Sequence, residues 1–467
     1  MEYIENKTFD EIKIGESAEL VRTLTRNDIE LFAVMSGDAN PAHLDEEFAH
    51  SDLFHKIVVH GMWGGALIST ILGIELPGPG TIYIGQSLNF KKPIGIGDTV
   101  TVRLTVKEKN PSNKDITFLC LITNQKNEEV TSGTAVVRAP TEKIRRPRIE
   151  LPHIVLRKPG ELYKNLIKIL HNIEPVKTAV IHPVDEVSLL GAIESAQAKL
   201  IIPILVGPEN KICAAAKRLK LDLSPYDIIS TPHSQAAAEK GVFLAREGQV
   251  GALMKGALHT DELMHAALNK ESGIRTERRM SHVFVMDIPN YPKLILVSDA
   301  AINIYPTLED KKDIIQNAID TAIAINILSP KIALLSVVET VSSKIQSTLD
   351  AAALCKMADR GQIKGGILDG PLAFDTIVSK EAAKIKGIIS PVAGQADVII
   401  TPDLESGNML VKQLEYLSDA QSAGIVLGAK VPIILTSRSD TPITRLASSA
   451  LAVIMAHRNL ASKLIKL

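Results

Sequence analysis

The sequence predicts a multi-domain protein, an α+β part at the amino-terminal side followed by an α/β part built on parallel sheets. Three observations carry this expectation. A chain of 467 residues exceeds what one hydrophobic core usually serves, at about 100 to 200 residues per domain. Up to about Arg138, long runs alternate apolar and polar residues, the pattern of antiparallel strands with one buried and one wet face. Beyond Gly160, short apolar runs alternate with helical segments, which implies crossover helices on a parallel sheet.

Taken in order, Thr25 and Asp28 have the spacing of a capping box that opens a helix through Ile29, Phe32 and Ala33 and stops at Gly37. A second helix runs from His60 to about Leu72 and is apolar nearly all round, through Met62, Trp63, Ala66, Leu67, Ile68, Ile71 and Leu72. Such a helix is expected to be surrounded, with a curled sheet wrapping it. Val100, Val102, Leu104 and Val106 predict one strand, and Ile116, Phe118, Cys120 and Ile122 another.

Between Ala139 and Gly160 the chain is rich in Pro and Arg without apolar periodicity, which predicts a semi-rigid linker over 141–160 between domains 1–140 and 161–467. In the second domain, Thr178–Ile181, Ile332–Leu335 and Asp397–Ile400 read as strands. Glu309–Leu328 and Ser406–Leu417 read as helices. In such a fold ligands lie at the carboxyl ends of strands.

With 52 basic and 53 acidic residues the formal charge is −1, so no global field favours nucleic acid. Cys120, Cys213 and Cys355 are far apart in apolar or helical stretches, which fits reduced core residues better than a disulfide framework or metal cluster. The start, Met1-Glu2-Tyr3-Ile4-Glu5-Asn6, is acidic, and no apolar run approaches the roughly 18 residues of a membrane span. A cytoplasmic protein with no membrane and no nucleic-acid partner is expected, and no metal constellation is visible.

Chemistry concentrates first in Ser36-Gly37-Asp38-Ala39-Asn40-Pro41-Ala42-His43-Leu44-Asp45. Pro41 is expected to keep the chain extended, so that Asp38 and His43 sit on a compact turn and converge on one small volume. A carboxylate and an imidazole sharing a water can act as general base and acid. Either residue alone reads as well as an Asx-turn aspartate or a solvated loop histidine.

This string, with His60-Gly61-Met62 opening the apolar helix, resembles the MaoC-like, (R)-specific enoyl-CoA hydratases. The resemblance implies a hotdog fold, water addition across the 2,3 double bond of an enoyl-CoA, and catalytic roles for Asp38 and His43. It also implies that backbone N–H groups near Gly61 and Met62 hold the thioester oxygen as negative charge develops on it. The alternative is a hotdog module that binds acyl-CoA or dimerises without catalysis, so that any catalysis lies in the second domain.

A second concentration is Val431-Pro432-Ile433-Ile434-Leu435-Thr436-Ser437-Arg438-Ser439-Asp440, a buried strand ending in hydroxyls and a guanidinium, which suits a phosphate. Met254–Thr260, Val297–Asn303 and Leu368–Leu372 likewise join strand ends to polar groups, and four such ends predict one cleft lined from several strands.

Together with Ile274-Arg275-Thr276, Ser281-His282-Val283 and Pro402–Asn408, these segments resemble the phosphate acetyltransferase and phosphate butyryltransferase family from about Leu162 onward. The resemblance implies a phosphotransacetylase-like α/β fold of two subdomains with the cleft between them. The implied reaction is acyl-CoA plus phosphate giving acyl phosphate plus CoA, with no tightly bound cofactor.

In that reading Arg438 grips phosphate and Ser437 donates to the oxyanion, while Lys255, Arg275 and Asp440 are candidate substrate contacts. A surface salt bridge is an even alternative for Lys255 and for Arg275. The sequence departs from the acetyl branch at its thiol base, where Thr444 stands, and at two arginines, matched by Tyr416 and about His265. Asp440 is the nearest carboxylate that could replace the base. Hotdog domains complete pockets by pairing, so a homo-oligomer, dimer or higher, is expected.

Overall fold

The computed structural model describes residues 3–151, 154, 156, 161–170, 173–435 and 441–464. The chain divides into two compact units, Met1–Leu156 and Arg157–Leu467.

The first unit is a five-stranded antiparallel sheet in the order Ser17–Thr23, Thr99–Asn110, Asp115–Thr123, Glu129–Arg138, Ile82–Phe90. The predicted alternation holds. Val100, Val102, Leu104 and Val106, and Ile116, Phe118, Cys120 and Ile122, are all buried in one core with Trp63, Ile68, Ile71 and Leu72 of the helix Met62–Ile74. Burial of the larger of these side chains stabilises by about 1.5–3 kcal/mol each relative to exposure.

That helix is not surrounded within the chain, contrary to its all-round apolar sequence. The sheet covers one side, and Met62, Ala66, Ser69 and Thr70, which share a side by helical spacing, remain exposed. The edge strand Ile82–Phe90 is also open, with Ile82, Ile84 and Phe90 exposed.

The expected linker begins as ordered structure. Arg145–Pro147 pairs antiparallel with Tyr3–Glu5, and Asn6 Nδ2 donates to Glu142 O while Asn6 Oδ1 accepts from Ile144 N. A Pro/Arg-rich composition hides this strand because pairing at a sheet edge asks for backbone groups, not apolar periodicity.

The second unit is an 11-stranded sheet. Its order is Asp227–Ser230, Ile201–Gly207, Val176–Ile181, Ala252–Lys255, Ile433–Ile434, Gln421–Leu427, Ser281–Asp287, Ile295–Ser298, Val398–Ile400, Lys331–Leu335, Ile367–Leu372. The predicted strands and the helices Leu308–Ala324 and Leu404–Leu417 are present; the first opens with the capping box Thr307/Asp310 and the second with Asp403 as cap.

The sheet is mixed, not parallel throughout. Gln421–Leu427 pairs antiparallel with both neighbours, and Ser281–Asp287 pairs antiparallel with Ile295–Ser298. The two flanking blocks of parallel strands therefore run in opposite directions. One face carries a single core that draws on both blocks. On the other face the core is split, around Ile181, Leu253 and Ile433 in one block and Val297, Ala333 and Ile399 in the other.

Candidate functional sites

In the first unit the capping box Thr25/Asp28 opens Arg26–Ser36, and Gly37, at φ 75°, ends it. This left-handed conformation turns the chain sharply and suits glycine. Asp38 follows; its Oδ1 accepts from Asn40 N at 3.2 Å.

Pro41 does not keep the chain extended. It occupies the first position of a one-turn helix, Pro41–Leu44, capped by Asn40, whose side chain accepts from Ala42 N. Proline suits that position because its missing N–H would have had no partner there. His43 therefore sits on a helical turn, and its Nδ1 lies 2.7 Å from Val58 O. A carbonyl only accepts, so Nδ1 carries the proton and Nε2 has the lone pair needed of a base.

Asp38, His43 and His60 each offer a ligand or proton-transfer atom within 4.8 Å of the others. One nitrogen of each ring meets a carbonyl oxygen, which leaves the other nitrogen of each ring, with the Asp38 carboxylate, available for proton transfer.

His43, His60 and Gly61 line a cleft of about 270 Å³ with Phe54, Val58, Phe90, Ile94 and the residues between Phe90 and Ile94. Gly61 is the N-cap of Met62–Ile74 and has no side chain to cap it; in the first turn the Trp63 N–H turns back to His60 O at 3.0 Å. A Cβ on Gly61 would meet the Phe90 ring at 3.3 Å. Phe90, the Lys91–Ile94 segment and Thr131 escaped the sequence reading, because only sheet pairing brings them to residues 43–61.

In the second unit Lys255 ends a strand whose Met254 pairs with Ile434, which sets Lys255 beside Leu435. Ser437, Arg438 and Asp440 lie outside the described residues. Gly256 admits no side chain: a Cβ there would stand 2.5 Å from Ile181 O. Thr444 is occupied in capping, its N–H bonded to Thr441 Oγ1 in the first turn of Pro442–Leu464. His265 is exposed on the helix Thr260–Leu268, which begins soon after Lys255, and Tyr416 is exposed on Leu404–Leu417.

The four predicted strand ends do not share one edge. Strands Ile295–Ser298 and Ile367–Leu372 run opposite to Ala252–Lys255 and Ile433–Ile434, so Ser298 and Leu372 end on the other edge of the sheet from Lys255 and Ile434. The physical cause is the pair of strands in the middle, which reverse direction.

Arg275 belongs to that other edge. It bridges to Ala429, and it lines a cleft of about 430 Å³ with Arg278, Arg279, Asn303, Asp310 and Asp313. There Arg279 donates to Asn303 Oδ1 at 2.7 Å, and Arg278 to Asp320 at 2.5 Å. Asn303 in turn donates to Asp299, which is buried and also accepts from the N–H groups of His282, Ala301, Ile302 and Asn303. Burial is the largest influence on the Asp299 carboxyl and pushes its pKa up, against those donors. His282 beside it is driven down to about 3 by burial alone.

Comparison with known proteins matches residues 230–453 to the family described as "Phosphate acetyl/butaryl transferase" and residues 11–125 to the "MaoC like domain". A phosphate acetyltransferase of Rhizobium meliloti is 56% identical over 301 residues, which are 64% of this chain and 95% of the relative. The chain belongs to the phosphate acetyl/butyryltransferase family. A phosphate butyryltransferase of Clostridium acetobutylicum is 40% identical over 63% of this chain and 98% of its own length. Among solved structures, a branched-chain phosphotransacylase from Enterococcus faecalis has 26% identity and TM-score 0.52, covering 60% of this chain and 99% of that one. In this family member the transferase part follows a MaoC-like domain with the antiparallel sheet and apolar helix expected of a hotdog fold.

Proposed function

We propose that the protein is bifunctional: its second unit exchanges an acetyl or butyryl group between CoA and phosphate, and its first hydrates an enoyl-CoA to the (R)-3-hydroxyacyl thioester. The observation that carries the hydratase half is the His43 tautomer, which leaves Nε2 with a lone pair near Asp38, while His43 lines a cleft with Phe54, Val58, Phe90 and Ile94. Asp38 and His43 take a proton from water as its oxygen bonds to C3, and a proton is delivered to C2. The N–H groups at Gly61 and Met62 receive the negative charge that the thioester oxygen gains.

In the transferase half, a phosphate oxygen attacks the thioester carbonyl carbon and the C–S bond breaks to release CoA thiolate. Arg438 holds the phosphate, Ser437 donates to the tetrahedral oxyanion, and Lys255 adds positive charge beside the strand that leads to them. Asp440 is the carboxylate closest in sequence that could serve the thiol. No tightly bound cofactor takes part.

The open side of the Met62–Ile74 helix and the apolar edge strand Ile82–Phe90 support association of like chains. Three unpaired cysteines suit a reducing, cytoplasmic setting. No helix among the described residues is long and apolar enough to cross a membrane. The deciding experiment measures, on one preparation, hydration of crotonyl-CoA and phosphate-dependent thiol release from acetyl-CoA and butyryl-CoA. Both activities are expected, and absence of either removes that half of the assignment.

A further inference from the structure

We propose that His60 is the positioning residue of the Asp38–His43 pair, tying the backbone of one to the ring of the other so that both hold one geometry. The proposal rests on the hydratase reading of this site.

His60 is 3% exposed. Its Nε2 lies 3.0 Å from the backbone oxygen of Asp38, and its ring stacks on His43 with centroids 3.9 Å apart and planes tilted by 38°. Because a carbonyl oxygen only accepts, the His60 proton sits on Nε2, the tautomer opposite to that of His43. Its Nδ1 is buried without a hydrogen-bond partner. An unsatisfied buried nitrogen costs about 1–3 kcal/mol, so a ring present only to fill space would be better supplied by phenylalanine. What imidazole adds is the N–H donated to Asp38.

Asp38 needs such a tie. It lies between the end of Arg26–Ser36 and the start of Pro41–Leu44, outside both helices. The segment Val58–Val59–His60 supplies both anchors: Val58 O receives the His43 proton and His60 Nε2–H reaches Asp38 O. That segment is itself fixed by Val59 N donating to Ile94 O at 2.9 Å. Two catalytic groups, one before and one within the short helix Pro41–Leu44, are thus referred to one three-residue template.

The test uses the full chain with two variants that separate donor from ring. His60→Phe keeps the stack and loses the donor; His60→Gln keeps an amide donor and loses the ring. A misplacement of about 1 Å costs about 100-fold. With crotonyl-CoA, His60→Phe is therefore expected to lower kcat about 10- to 100-fold with KM within about two-fold, and His60→Gln to recover to within about five-fold of wild type. Thiol release by the transferase should be unchanged in both and reports an intact second unit, while a retained His43 Nδ1–H signal reports an intact first unit.

Nitrogen-15 NMR of histidine-labelled protein gives a readout independent of turnover: His60 protonated on Nε2 and His43 on Nδ1, the former signal vanishing in either His60 variant. Wild-type kcat in His60→Phe, a His60→Gln no better than His60→Phe, or a His60 proton on Nδ1 overturns the proposal. A wild type that shows both tautomers but hydrates no crotonyl-CoA removes the hydratase reading and leaves the positioning standing.

Discussion

The two units build their chemistry in opposite ways. In the first, Asp38, His43, His60 and Gly61 come from one short stretch, and two turns, Gly37 and Asn40–Pro41, fold that stretch onto itself. In the second, Lys255 and Leu435 are far apart in sequence and meet because one short strand pairs beside another. The difference teaches that a local site survives rearrangement of the sheet around it, whereas a site at strand ends is decided by strand order and direction.

The comparison breaks most sharply by cross-inactivation. Asp38→Asn and His43→Ala should each reduce crotonyl-CoA hydration by about 10³-fold, the middle of the range for general acid–base groups, while thiol release stays at the wild-type rate. Arg438→Ala and Ser437→Ala should do the converse, lowering phosphate-dependent thiol release about 10²- to 10³-fold, the usual loss for one oxyanion donor. Loss of both activities from one substitution would mean the sites are coupled.

The edge assignment predicts a smaller, graded effect. Lys255→Met should raise the KM for phosphate by up to about five-fold, in keeping with at most roughly 1 kcal/mol for one partly screened charge contact. Arg275→Met, on the other edge, should change it by less than about two-fold. Equal effects in steady-state assays would show that the two edges approach each other around the substrate.

A separate effect concerns stability. His282 titrates at about 3 in the fold because burial disfavours its charged form, against about 6.5 when unfolded. Between those values the unfolded chain binds the extra proton, so stability rises with pH and is lost as pH falls from about 6.5 toward 3. The loss is roughly 1.4 kcal/mol per pH unit well inside that window. Urea unfolding of the second unit at a series of pH values should show this slope in wild type and lose about one proton of it in His282→Gln.

Much of this architecture was legible in sequence because it is local. The capping box at Thr25/Asp28, the alternation around Val100 and Ile116, and the Asp38–His43 string all depend on neighbours a few positions away. What was not legible is set by pairing. The reversal at Gln421–Leu427 and Ser281–Asp287 leaves no mark in a buried strand, since apolar runs read the same in either direction. That reversal moved Arg275 and Asp299 away from Lys255. The exposed side of the Met62 helix was missed for a related reason: Met62 and Ala66 look like core residues until the sheet's coverage is known. His60 itself was visible only as part of a motif, although its place directly before the helix start marked it as a candidate.

The late strand Ile433–Ile434 has a consequence for synthesis. It sits between Ala252–Lys255 and Gln421–Leu427, so a growing chain finishes its first unit, and nine other strands of the second sheet's eleven besides Gln421–Leu427, before the strand that joins the two blocks emerges. Until then Ala252–Lys255 presents an unpaired apolar edge of the kind that invites pairing with other chains. Ribosome-released fragments ending before residue 433 should therefore carry a folded first unit on an aggregation-prone, transferase-dead partner, and the order of translation completes the turn that holds Asp38 and His43 before the strand beside Lys255 is made.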